Sequence, residues 1–141
     1  MELCDKSTAE LARMLKKGDV SSREITESVF MRINEREETV NAFITITRET
    51  AFKQAAIADQ RIRSREPVSM LNGIPVAFKD ILCTKDIRTT CGSHILRDFV
   101  PTYNATAVEK ILREGAVLIG KTNMDEFGMG CLLYTSPSPR D

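Results

Sequence analysis

At 141 residues the chain is long enough for one domain with a hydrophobic core, and its 42% hydrophobic and 28% charged content are those of a soluble globular protein. Twenty lysines and arginines balance twenty acids, so no net field draws the chain to nucleic acid or to an anionic membrane. No apolar stretch approaches a membrane span, and the N-terminus lacks the charged head and apolar core of a secretion signal, which predicts a cytoplasmic protein without membrane contact.

The first half reads as helices. Residues 7–10, STAE, have the capping-box spacing, in which the serine hydroxyl accepts from a backbone N–H three residues on and the glutamate reaches back. That start predicts a helix with Leu11, Met14 and Leu15 on one face, closed by Gly18. Residues 21–24, SSRE, repeat the signal and lead into Ile25, Val29 and Ile33 at helical spacing. The β-branched and aromatic run 41–46 predicts a short extended segment. Helix resumes from Thr47, with Ala51, Ala55, Ile57, Ala58 and Ile62 apolar, a basic end at 61–65, and a stop at Glu66-Pro67.

From Leu71 the pattern changes. Residues 74–78 are continuously apolar and predict a strand buried on both faces, ending in Lys79-Asp80. Residues 89–93, TTCGS, have the composition of a loop. The run Asn104-Ala105-Thr106 is expected to cap a helix bearing Val108, Ile111 and Leu112, with Gly115 at its end. Residues 116–119 predict a second buried strand. Strand, helix and strand together make a βαβ-like unit with parallel strands.

Residues 131–141, CLLYTSPSPRD, break this patterning. The string resembles the conceptual translation of a sequencing-library adapter, so the native sequence is expected to end near Gly130. Cys4, Cys83, Cys91 and Cys131 are widely spaced without a C-x-x-C pair, and the single His94 cannot complete a zinc site. Free, buried thiols are expected instead.

Two lysine motifs compete for a chemical role. Residues 115–122, GAVLIGKT, satisfy the phosphate-loop pattern letter for letter. That chemistry needs an open loop whose N–H groups face phosphate, whereas Ala-Val-Leu-Ile predicts a buried strand. A nucleotide-binding module built on Gly115–Thr122 is therefore the disfavoured alternative. Lys79 stands at the carboxyl end of a strand, where open α/β sheets place their reactive groups. A lysine drawn into an apolar interior loses basicity, and a pairing with Asp80 would oppose that. Taken alone, a strand-end Lys-Asp reads more simply as a solvated turn. Asp125 and Glu126 are adjacent and would point apart, which suits a helix N-terminus better than an acid–base pair. Met124, Phe127 and Met129 read as core or pocket lining.

GIPVAFKD (73–80), CTKDIRTTCGS (83–93), FVPTYNAT (99–106) and GKTNMDEFGMG (120–130), in this order and spacing, resemble the amidase-signature family. The likeness spans residues 1–130. The second and fourth blocks are most similar to the branch that forms the A subunits of tRNA-dependent amidotransferases. The resemblance implies an α/β fold: N-terminal helices plus the first portion of a mixed sheet flanked by helices, truncated within a single amidase domain. It also implies a Ser–cis-Ser–Lys triad, in which Lys79 matches the lysine that deprotonates the bridging serine. Both serines would belong to a Gly/Ser-rich segment beyond Gly130 that this chain does not contain, so the chain by itself is expected to be inactive. Gly128 and Met129 match the acyl-side pocket by motif position. The implied substrate is glutamine, whose ammonia would pass to Glu-tRNA(Gln) through a complex with the B and C subunits. ATP and Mg2+ would act at the B subunit, leaving no cofactor or metal in this chain. A stand-alone amidase acting on small amides is the alternative within the family.

Overall fold

The computed structural model describes residues 2–129. The expectation that residues 131–141 are non-native lies outside them. Both capping boxes form: Ser7 and Ser21 each accept from the N–H of the glutamate three residues on, and Glu10 and Glu24 reach back. They open α1 (Thr8–Lys17) and α2 (Ser22–Val40). Gly18 ends α1 in the left-handed region at φ 78°, a conformation that glycine adopts without a Cβ penalty. After α2 come β1 (Phe43–Ile46) and α3 (Arg48–Arg63), then β2 (Pro75–Lys79), α4 (Thr106–Arg113) and β3 (Val117–Thr122).

The three strands form one mixed sheet in the order β1-β3-β2, with β3 antiparallel to β1 and parallel to β2. The βαβ-like unit is thus present, with α4 in the connection. Central β3 alternates across the two layers. Val117 and Ile119 pack with Phe30, Ile33, Ala51 and Ala55 of α2 and α3, while Leu118 packs with Phe78 and Val108 on the α4 side. Each large apolar side chain buried this way contributes about 1.5–3 kcal/mol. A third cluster joins Leu11, Leu15, Ile25 and Ile74. No described helix is long and apolar enough to cross a membrane.

Four local expectations change. β2 is half-buried over Pro75–Ala77 instead of sealed on both faces, because it lies at the edge of the described sheet. Ile57 is exposed, since the buried face of α3 runs through Ala51, Ala55 and Ala58. The N-cap of α4 is Ala105, without a side-chain cap, and Asn104 Oδ1 instead accepts from the Lys85 N–H. Phe127 and Met129 are exposed, which removes the core half of the core-or-pocket reading.

Candidate active site

β2 delivers Lys79 to the sheet's carboxyl edge, opposite Thr122 of β3. Strand alternation then separates neighbours: Phe78 turns into the α4-side core and Lys79 turns out, so its side chain is exposed. The expectation of a lysine drawn into an apolar interior is not met in this chain. The chain bends at once, with the Leu82 N–H donating to Lys79 O and the Asp80 N–H to Thr122 O.

Asp80 points the other way and is fully buried. Its Oδ2 accepts from the Thr90 N–H at 2.8 Å and from the Thr90 hydroxyl at 2.6 Å. Its Oδ1 lies 3.4 Å from Lys121 Nζ and makes no well-aligned hydrogen bond, so that contact is chiefly Coulombic. The Lys121 side chain is likewise closed to solvent, and its ammonium donates to Leu82 O and Thr89 Oγ1, each at 2.8 Å. Burial pushes the Lys121 amine down from the usual lysine range, and the Asp80 carboxylate opposes that shift. Burial pushes the nearby Cys91 thiol up, helped by the negative charge of Asp80.

The corner is tied to two further segments. The Cys91 N–H donates to Asp80 O, and the Phe127 N–H donates to Cys91 O. Gly92, at φ 69°, passes so close to the 124–125 backbone that an added Cβ would stand 2.7 Å from Met124 O. Ser93 Oγ donates to Glu126. A Cβ on Gly128 would stand 3.5 Å from Ile81 Cδ1, which brings Gly128 beside the turn that follows Lys79. Met129 follows it, 77% exposed. Lys79 and Gly128 therefore share one edge of the fold. Residues 126–128 form a short 3-10 turn with Asp125 at its N-cap.

Sequence reasoning missed the part played by Thr89 and Thr90, whose hydroxyls complete the buried cluster. The paired threonines inside an otherwise small, polar loop were the available signal. The phosphate-loop pattern is overturned directly, since residues 117–122 are the central strand, buried from Val117 to Lys121. The Cβ-free approach of Gly120 to Thr45 O and the Phe43 ring accounts for the second glycine of the pattern. Cys4, Cys83 and Cys91 are free and partly buried. Glu2, Cys4 and Asp5 stand together, but Arg32 lies 2.9 Å from Glu2 and 3.5 Å from Asp5 and occupies both carboxylates. A groove of about 610 Å³ runs between α1 and residues 62–72, and none of Lys79, Asp80, Gly128 or Met129 lines it.

Known proteins share this sequence pattern and this fold. The family model described as Amidase matches residues 24–139. The A subunit of the glutamyl-tRNA(Gln) amidotransferase from Syntrophus aciditrophicus is 51% identical over 136 residues, 96% of this chain and 28% of the relative. Its counterpart of the same name from Geotalea daltonii is 53% identical over 130 residues, 92% of this chain and 27% of the relative. Among solved structures, the peptide amidase from Stenotrophomonas maltophilia superposes with a TM-score of 0.82 at 30% identity, over 87% of this chain and 26% of that one. The chain thus spans little more than a quarter of the length of the curated relatives it matches.

Proposed function

The chain belongs to the amidase family, and from that premise we propose that it is a segment of the A subunit of a Glu-tRNA(Gln) amidotransferase. The observation that carries the reading is Lys79, exposed at the end of β2 while the neighbouring Asp80 carboxylate is held inside by Thr90 and Lys121. A strand-end amine with no carboxylate of the described residues paired to it is left to meet groups supplied by the rest of the amidase domain. Within the family, identities of 51% and 53% to A subunits of that enzyme, against 30% to a peptide amidase, favour the glutamine-hydrolysing branch.

In this reading Lys79 takes the proton of a bridging serine, and that serine takes the proton of the nucleophilic serine as its oxygen attacks the side-chain amide of glutamine. Ammonia leaves, and water later releases glutamate from the acyl-enzyme. Both serines lie outside the 141 residues, so the chain alone releases no ammonia. Gly128 and Met129, beside the turn after Lys79, border the acyl side of the pocket. The ammonia converts Glu-tRNA(Gln) to Gln-tRNA(Gln) in a cytoplasmic complex with the B and C subunits. ATP and Mg2+ act at the B subunit in this reading.

The test is glutamine hydrolysis by the full-length protein in complex with its B and C partners. Lys79→Ala is expected to lower kcat by about 10²–10⁴-fold, the usual cost of removing a positioned base. Undiminished ammonia release from that variant overturns the reading.

A further inference from the structure

Lys121 is a fully buried cation for which the proposed chemistry has no direct use. Its position is unusual in what it joins. Lys79 and Asp80 are consecutive, the turn they begin closes through Leu82, and the loop opposite begins at Thr89. The Lys121 ammonium reaches three of these places at once: Asp80 Oδ1, Leu82 O and Thr89 Oγ1. The remaining Asp80 oxygen is taken by Thr90. Lys121 itself sits in central β3, paired with Phe78 on one side and Thr45 on the other, so its backbone has little freedom to move.

From this geometry we propose that Lys121 is a positioning residue for Lys79: its ammonium holds the Asp80 carboxylate and the Leu82 carbonyl inward, and so fixes the corner from which Lys79 projects. The proposal rests on the reading of Lys79 as the base. Two alternatives to it are physical. Without the buried cation, the Asp80 carboxylate would have a reason to turn outward toward the Lys79 amine, its immediate neighbour, and occupy it. Without the bonds to Leu82 O and Thr89 Oγ1, the 80–82 turn and the 89–91 loop would lose their common anchor. Either change moves the amine from its aim without touching substrate directly, and a displacement of about 1 Å at a reacting group is enough to cost on the order of 10²-fold in rate.

The experiment compares Lys121→Met, the charge-neutral double variant Asp80→Asn/Lys121→Met, Thr89→Val and Thr89→Ser in the full-length protein with its partners. Thermal unfolding is recorded beside glutaminase kinetics. The double variant leaves no uncompensated buried charge, so its folding is expected to recover relative to Lys121→Met. Its kcat is expected to stay roughly 10²-fold down while KM for glutamine changes less than about twofold, the signature of a lost transition-state geometry and not of lost binding. Thr89→Val removes one acceptor of the ammonium and is expected to lower kcat several-fold, with Thr89→Ser restoring it. A folded double variant with parental kcat, or a folded Thr89→Val with parental kcat if the double variant does not fold, overturns the proposal. Lys79→Ala in the same assay keeps the two readings apart. Activity indifferent to Lys79→Ala refutes the base, whereas activity sensitive to Lys79→Ala but indifferent to the Lys121 and Thr89 variants refutes the positioning alone.

Discussion

Asp59 of α3 caps the N-terminus of α2 at Ser22. One carboxylate oxygen accepts from the Ser22 N–H at 2.6 Å and the other from the Arg23 N–H at 3.2 Å. The Ser22 hydroxyl in turn donates to Gly73 O, which ties the start of α2 to the segment entering β2. Two free helix N–H groups and the positive end of the helix dipole thus meet one carboxylate from another element. Asp59→Ala is expected to destabilise the chain by about 1–2 kcal/mol, the cost of a lost cap. Urea unfolding measures it, and a midpoint unchanged from the parent refutes the cap.

The local caps make a prediction about pH. Hydrogen bonds from the Ser7 and Ser21 side chains, followed by the backbone N–H of the same serines, hold Glu10 and Glu24 below the ordinary glutamate value of 4.5. A folded-state value below the unfolded one means that each carboxylate adds stability above pH 4.5 and loses it as pH falls through the folded value. Carboxyl-carbon NMR titration should place both glutamates below 4.5, and Ser7→Ala should return Glu10 toward 4.5 without moving Glu24. A Glu10 titration unchanged by Ser7→Ala counts against the capping box.

These two caps also show what is legible in the sequence. A capping box is local, four residues long, and each partner's role follows from spacing alone, so both boxes can be read without a structure. Asp59 and Ser22 are far apart in sequence, and nothing near either residue announces the other. The same distinction runs through the site. Lys79 at a strand end is legible from a run of apolar residues and from family resemblance. Its exposure is not, because it depends on which face β2 presents at the sheet's edge. The inward turn of Asp80 requires knowing that Lys121 and Thr90 converge on it from other segments. Asn104 misleads for the opposite reason: its spacing suits a helix cap, but a tertiary partner, the Lys85 N–H, takes its side-chain oxygen.

Gly120 discriminates between strand packing and phosphate binding. An added Cβ there would stand 2.6 Å from Thr45 O and 2.7 Å from Phe43 Cδ1. Gly120→Ala must therefore push β1 away from β3, at a cost of about 1–3 kcal/mol typical of overpacking. Calorimetric titration of the parent chain with Mg·ATP is expected to show no binding, since the backbone of residues 117–122 is engaged in the sheet. Nucleotide binding that Gly120→Ala abolishes would reinstate the phosphate loop.

The two lysines should part company most clearly in stability. Lys79 is exposed, and its side chain makes no hydrogen bond or ion pair with the described residues. Removing it to alanine is expected to change the unfolding free energy of this chain by no more than about 0.5 kcal/mol, as at ordinary surface positions. Lys121 presents the reverse case. It is closed to solvent, donates to Leu82 O and Thr89 Oγ1, and supplies the cation beside a carboxylate with no route to water. Lys121→Met strands the Asp80 charge and is expected to cost about 3–5 kcal/mol, while the Asp80→Asn/Lys121→Met pair costs less than the sum of its parts. A double-mutant cycle by urea unfolding of the 141-residue chain reads the coupling without any activity assay. Lys79→Ala unfolding the chain while Lys121→Met leaves it intact would reverse the roles assigned to the two side chains. The expected order also decides how activity data on the full-length protein are read. A loss of glutamine hydrolysis in Lys79→Ala cannot then be ascribed to a loss of folded protein, whereas the same loss in Lys121→Met has to be corrected for it.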